Sequence, residues 1–343
     1  MALAAIVLCA QLVSAVVHPQ NDGQESLHIL QAVFGSDNST SNVERNWFRE
    51  MYVPSDMPEG SYLSIKPNPI IEFDASIPDN VDNLFNTEKE LQSVLIIQIE
   101  TRHEGFLESG KKINKMYADK QRGVSYRSTS RFTQEAFAEL PPYWAKVKIM
   151  LEEAKASTHD FVVWLDGDAV VAEHSRRFDR LRYFDDEKTV MVVGKDNAMW
   201  YDPEKSDMLC SGVWVVRNNE NGKAFLQKWW DKYEQIKSRW EFNQTTGNWA
   251  CDKCKWAGHE FEQGALNELY RDGGKRDGIM HNAPWYLFNN RLTKAIGNSA
   301  LANSPRARRW NEQDPQFVCH FAGMTSKNRE LGMKEVLKHV NNS

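Results

Sequence analysis

Two carboxylates one residue apart, Asp166 and Asp168, stand at the end of the apolar run Phe161-Val162-Val163-Trp164-Leu165. Hard oxygen ligands at that spacing suit Mg²⁺ or Mn²⁺, above all when a substrate phosphate completes the coordination shell. A buried strand that ends in paired acids places them where open α/β sheets bind their ligands, outside the carboxyl ends of the strands. The intervening Gly167 leaves a second reading open. Asp-Gly is also a turn signal, and a strand ending in Asp-Gly-Asp can reverse there without binding anything.

The elements that must position this pair follow from hydrophobic patterning. Order begins at Gln92, with residues 93–99 reading as a buried strand that runs into the polar loop Glu100-Thr101-Arg102-His103. An amphipathic helix is expected over 109–121, a strand over 124–128, and a helix over 143–155 introduced by Pro141-Pro142. The strand carrying the acids comes next. This β-α-β-α-β order predicts an α/β domain with a mostly parallel, Rossmann-like sheet flanked by helices. Further strands are expected at 189–193, 210–217, 285–288 and 317–323, and helices at 221–237, 260–270 and 328–339, with 243–258 read as a loop.

The chain has 343 residues, of which 26% are charged, with a formal net charge of -5. Nothing in that balance provides an electrostatic surface for a nucleic-acid polymer. The 12 Trp suit either sugar-binding faces or core packing. Residues 1–15 read as a signal peptide cut after Ala15, or as a short uncleaved anchor that would be the protein's contact with a membrane. Residues 16–90 read as an irregular stem or wrap, and 91–343 as the catalytic domain. Asn38, Asn243 and Asn341 open glycosylation sequons, in keeping with passage through the secretory pathway. Of the cysteines left after such a cut, Cys251 and Cys254 read as a local disulfide. Cys210 and Cys319 are either partners or buried thiols. A zinc site built on Cys251, Cys254 and His259 lacks a fourth ligand.

Six short motifs in order resemble glycosyltransferase family 34, a GT-A type group of fungal galactosyl- and mannosyltransferases and plant xyloglucan xylosyltransferases. They are Tyr117-Ala118, Trp144 with Lys146, Asp166-Gly167-Asp168, Ser211-Gly212, Glu262-Gln263-Gly264-Ala265-Leu266, and His320-Phe321-Ala322-Gly323. The resemblance spans roughly residues 92 to 325. It departs from the family at Cys210, where the family has Asn, and at Glu262, where it has Asp.

The resemblance implies one GT-A domain with the Asp-x-Asp at a strand end, and a nucleotide-diphosphate sugar as donor. It implies that Asp166, Asp168 and His320 hold Mn²⁺, or Mg²⁺, against the diphosphate. Gln263 would stabilise the reacting sugar, with Glu262 orienting it or meeting the acceptor. Thr101, Lys146, Asp196, Ser211, Gly212, Gly323 and Lys327 are the candidate substrate and nucleotide contacts. Apart from the resemblance, Lys146 and Lys327 can also be read as solvated helix lysines, Glu262 as a helix-start charge, and His320 as a core histidine. The expected activity is retaining transfer of a hexose or pentose, with galactosyl transfer among the expectations, from a donor carrying UDP rather than GDP to a glycan or glycoprotein in the Golgi. Two alternatives stand beside it: a haloacid-dehalogenase-like phosphatase using Asp166 and Asp168, and a secreted lectin-like module without catalysis.

Overall fold

The structure, a computed structural model, describes residues 81–99, 105–129, 139–196, 208–245, 247–251, 253–254, 257–289, 317–322 and 324–342. The expected signal segment, most of the stem, Thr101 and Gly323 lie outside the described residues. Among the described residues ten strands run in chain order: β1 (Val94–Ile97), β2 (Val124–Arg127), β3 (Phe161–Leu165), β4 (Ala169–Val171), β5 (Met191–Lys195), β6 (Leu209–Arg217), β7 (Trp240–Asn243), β8 (Asn248–Cys251), β9 (Met280–Ala283) and β10 (Val318–His320). The helices are α1 (Gly105–Lys120), α2 (Pro142–Ala156), α3 (Glu220–Ile236), α4 (Glu262–Leu269), α5 (Trp285–Phe288) and α6 (Ser326–Asn342).

Six strands form one sheet in the order β2-β1-β3-β6-β5-β9. All run parallel to one another except β6, which is antiparallel to both of its neighbours, so the expected mostly parallel α/β sheet is the observed one. Strand alternation sends side chains to two separate cores. Val162 and Trp164 of β3, with Trp214 and Val216 of β6, join Trp144, Leu151 and Trp229 beneath α2, α3 and α4. Phe161, Val163, Leu165, Val213 and Val215 point the other way, onto Phe178, Leu287 and Phe317. A third cluster holds the small β4–β10 sheet between α1 and α6 through Phe106, Ile113, Val170, Phe321, Met333 and Val336. Among the described Trp residues, Trp144, Trp214 and Trp229 are fully buried in these cores.

Three local differences from the expected elements have physical causes. Residues 285–288 are one helical turn rather than a strand, because Pro284 presets the turn and its carbonyl accepts from Leu287 N–H at 2.9 Å. The edge strand is instead β9, whose sequence Met-His-Asn-Ala carries no apolar run; only its ends, Met280 and Ala283, are buried. Within the expected 243–258 loop, β8 pairs antiparallel with β7 as a hairpin, whose tip uses Gly247 at φ 67 and a Gly247 N–H to Asn243 carbonyl bond of 2.8 Å. Residues 81–90, the end of the segment read as a stem or wrap, lie against the domain: Phe85 is buried, meets the Phe317 ring edge-on at 5.4 Å, and bridges Leu181.

Burial of Trp214 at the centre of the sheet makes it the strongest test of this core. Trp214→Ala should cost about 3–5 kcal/mol in urea unfolding. Phe242→Ala, at a side chain 38% exposed on the hairpin, should change stability by no more than about 0.5 kcal/mol.

Candidate metal and diphosphate site

The register of three strands assembles the site. Leu165 pairs with Val213, and Asp166 N–H then donates to the Gly212 carbonyl at 2.8 Å, which sets Ser211-Gly212 beside Asp166-Gly167. The chain turns at Gly167, with Ala169 N–H donating to the Asp166 carbonyl at 2.9 Å, and returns as β4. The turn and the acid pair are therefore one feature rather than rival readings. Antiparallel β10 places His320 opposite Ala169, and Phe321 N–H closes onto the Asp168 carbonyl at 3.0 Å. His320 Nε2 thus comes within 3.4 Å of Asp168 Oδ1 and 3.9 Å of Asp166 Oδ2.

Two buried side chains, Gln98 and Asn114, pin the turn. Gln98, just past β1, donates through Nε2 to the carbonyls of Asp166 at 3.0 Å and Ala169 at 2.8 Å. Its Oε1 accepts from Asn114 Nδ2 and from the Tyr126 hydroxyl, both at 2.9 Å. Asn114, fully buried in α1, also donates to the Ala169 carbonyl at 3.0 Å and accepts from Val171 N–H at 2.8 Å. Backbone carbonyls at a sharp turn have no ladder partners, and buried amides supply them here. The one sequence signal for Asn114 was a polar residue in the helix stripe that carries Ile113 and Tyr117.

His320 is 3% exposed, and its two ring nitrogens face different surroundings. Nδ1 lies 2.8 Å from Asn289 Oδ1, and Asn289 Nδ2 donates to the Lys195 carbonyl at 2.7 Å. Because the Asn289 amide is oriented by that second bond, its oxygen must accept, so Nδ1 carries a hydrogen and Nε2 is the ring nitrogen turned toward the acids. Nε2 is a buried atom with no hydrogen-bond partner. Room for the ring exists because residue 212 is glycine: a Cβ there would overlap the imidazole. Burial opposes a charge on His320, but the Cys210 sulfur, 3.8 Å from Nδ1, and the Asp168 carboxylate outweigh it and raise the ring to about 10.

Lys146 enters from α2 and joins two elements distant in sequence. Its ammonium lies 3.2 Å from Asp166 Oδ1, 2.9 Å from Glu262 Oε1 and 3.2 Å from the Ser211 carbonyl. Burial alone would lower its pKa, but Asp166 and Glu262 more than offset that and hold it above its ordinary value. Trp164 Nε1 donates to the same Asp166 oxygen at 2.6 Å, and Ser211 Oγ donates to Glu262 at 2.7 Å. Gln263, the next residue of α4, is less buried. Its Oε1 accepts from Ser211 N–H at 3.2 Å and its Nε2 donates to Asp196 Oδ2 at 3.1 Å. A bulge makes this possible: β5 pairs Val193 with Trp214 but Gly194 with Cys210, leaving Ser211, Gly212 and Val213 of β6 unpaired on that side.

The structure therefore brings Asp166, Asp168, His320, Lys146, Glu262, Gln263, Ser211, Gly212 and Asp196 into one connected cluster. Lys327 is not part of it; it is exposed on the first turn of α6. Lys146 has its three N–H groups directed at protein acceptors, so it supports Asp166 rather than standing open to a diphosphate. The sequence reading missed Arg329, whose Nε lies 3.0 Å from Asp168 Oδ2, as well as Gln98, Asn114 and Asn289. Cys251 and Cys254 form a disulfide, which removes the zinc alternative, and Cys210 and Cys319 are free.

The donor set fits a divalent cation. Ligands about 2.2 Å from such an ion lie about 3 Å apart when adjacent and about 4.4 Å when opposed. The three side chains offer atoms that all lie within 4.8 Å of one another. The orphaned Nε2 is the buried polar atom that such an ion would satisfy.

No family model matches the chain, and no curated protein matches its sequence. Its backbone is similar to solved glycosyltransferase structures. One, involved in the glycosylation of the major capsid of PBCV-1, is 13% identical with a TM-score of 0.46 over 71% of this chain and 99% of that one. GlyE of Streptococcus pneumoniae TIGR4 is 12% identical with a TM-score of 0.39, over 74% of this chain and 63% of that one. Mouse xyloside xylosyltransferase 1 is 10% identical with a TM-score of 0.37, over 67% and 97%.

Gly212→Ala should displace the His320 ring and weaken Mn²⁺ binding by tenfold or more, about 1.4 kcal/mol, while circular dichroism shows the fold retained. In the wild type the cation must displace a proton that His320 holds up to about 10. Apparent Mn²⁺ affinity should therefore rise with pH below that value, by up to about tenfold per unit. Calorimetry at pH 7 in buffers of different ionisation enthalpy should show proton release, and a pH-independent affinity would remove His320 from the ligand set.

Proposed function

We propose that the chain is a metal-dependent, retaining glycosyltransferase that moves a hexose or pentose from a nucleotide-diphosphate sugar to a glycan acceptor. The observation that carries this reading is the convergence of two Asp oxygens and an orphaned, buried His320 nitrogen beside the Gln263–Asp196 pair. A cation held by Asp166, Asp168 and His320 would supply the Lewis acid that a departing diphosphate requires. The anomeric carbon exchanges its bond to the phosphate oxygen for one to the acceptor oxygen, and the acceptor's proton leaves to the departing phosphate.

The protein's own groups divide the remaining work. Lys146 and Trp164 hold one Asp166 oxygen and leave the other facing His320. Asp196 takes hydrogen bonds from the donor sugar or orients Gln263 toward it. Gln263 presents its amide dipole to the developing positive charge at the anomeric carbon. Glu262, 3% exposed and paired with Lys146, is in no position to serve an acceptor as a base, which favours retention through Gln263 over inversion. The phosphatase alternative needs Asp166 as an open nucleophile, whereas one of its oxygens is already engaged twice.

UDP is the favoured nucleotide by the motif resemblance. The Cys251–Cys254 disulfide and the exposed sequon residues Asn243 and Asn341 agree with an oxidising secretory compartment, the Golgi lumen by the same resemblance. Among the described residues no helix is long and apolar enough to cross a membrane. Thermal-shift assays with UDP, GDP and UMP, each with and without Mn²⁺, test the reading. One diphosphate at a hundredfold its Kd should stabilise the protein by about 2.7 kcal/mol, and only with the metal. Asp168→Asn should abolish turnover in a folded protein, and Gln263→Ala should lower kcat more than donor affinity. The absence of any diphosphate-dependent shift would overturn the assignment.

A further inference from the structure

A diphosphate leaving group needs a cation with unspent N–H donors, besides a metal, to take up charge as it departs. Among the described residues three cationic side chains touch the Asp166–Asp168 pair, and two are committed. Lys146 is directed at Asp166, Glu262 and Ser211 and lies below the site. His320 donates through Nδ1 to Asn289. The third is Arg329, on the first turn of α6. Its Nε lies 3.0 Å from Asp168 Oδ2 and 3.4 Å from the Phe321 carbonyl. Its guanidinium carbon sits over the Phe106 ring at 5.4 Å, which fixes the plane of the fork. Among the described residues, Nη1 and Nη2 make no hydrogen bond.

The two oxygens of Asp168 thus face different partners. Oδ1 lies toward His320 Nε2 and Oδ2 toward Arg329. A cation seated on Oδ1 and a guanidinium seated on Oδ2 stand one carboxylate width apart, the arrangement in which both can reach one phosphate.

We propose that Arg329 is a catalytic residue that binds the leaving diphosphate. Its Nε keeps Asp168 in place, and its Nη groups take oxygens of the phosphate that the metal also neutralises. This rests on the glycosyltransferase reading above and adds to it the residue that receives the leaving group's charge. It also reassigns to Arg329 the phosphate contact that the sequence suggested for the exposed Lys327.

The experiment measures three affinities on Arg329→Gln: Mn²⁺ alone by electron paramagnetic resonance, and inorganic pyrophosphate and UDP or GDP in saturating Mn²⁺ by calorimetry. Pyrophosphate makes the readout independent of the base. Loss of about tenfold or more for pyrophosphate and the nucleotide is expected, with Mn²⁺ affinity unchanged or tighter, because a competing cation has left Asp168. An equal loss of Mn²⁺ and pyrophosphate affinity would make Arg329 a positioning residue for Asp168 and overturn the proposal, as would unchanged pyrophosphate binding. If Arg329→Gln does not fold, Arg329→Lys serves in its place. A single ammonium can serve Asp168 or the phosphate but not both, so at least threefold weaker pyrophosphate binding is expected and unchanged binding overturns the proposal. Wild-type protein that binds none of these ligands with Mn²⁺ would instead overturn the transferase reading itself.

Discussion

One buried ammonium ties the site together. Lys146 sits between Asp166 at the end of β3 and Glu262 at the start of α4, nearly a hundred residues later in the chain. Removing three charges from water is costly, and their mutual attraction offsets that cost only when every partner is in place. The cluster meets that condition: Ser211 bonds both Lys146 and Glu262, and Trp164 bonds Asp166. Asp166 is therefore positioned by the same interaction that anchors the helix bearing Gln263. Loosening either end would move both Asp166 and Gln263.

The fold supplies this constraint through two departures from a simple parallel sheet. Strand β6 runs against its neighbours, which brings its N-terminal end, Cys210-Ser211-Gly212, up to the carboxyl ends of β3 and β5. Its bulge then turns Ser211 toward α4 and leaves Gly212 as a gap that the His320 ring fills. The small β4–β10 sheet acts as a second platform. Its antiparallel register carries His320 to the acid pair from the far end of the chain. Polar groups at such a junction have few ladder partners, so Gln98, Asn114 and Asn289 are recruited as buried amides.

The local sequence was a good guide wherever burial followed a regular period. The β1, β3 and β6 runs, and the stripes of α2 and α3, are apolar because both faces of a central sheet are covered. It was a poor guide at edges. The strand β9 has only two buried side chains, and its Met-His-Asn-Ala sequence shows no period, while the apolar residues 285–288 read as a strand although Pro284 opens a helical turn there. The Trp residues of the described segments, open to a sugar-binding reading, belong largely to the core.

The sequence by itself determined which groups were available: a strand ending in Asp166 and Asp168, a Ser211-Gly212 strand entry, a Glu262-Gln263 helix start and a late His320. Those are matters of residue type and local period, and both are written along the chain. Only the tertiary structure decided what each group does to the others. Lys146, open to a substrate or a solvated reading, is buried because two acids from separate elements meet around it, whereas Lys327, open to the same two readings, is turned to solvent. Arg329 reaches Asp168 because α6 packs on α1 through Phe321, Met333 and Val336, a contact set by side-chain shape across the whole domain and by no motif.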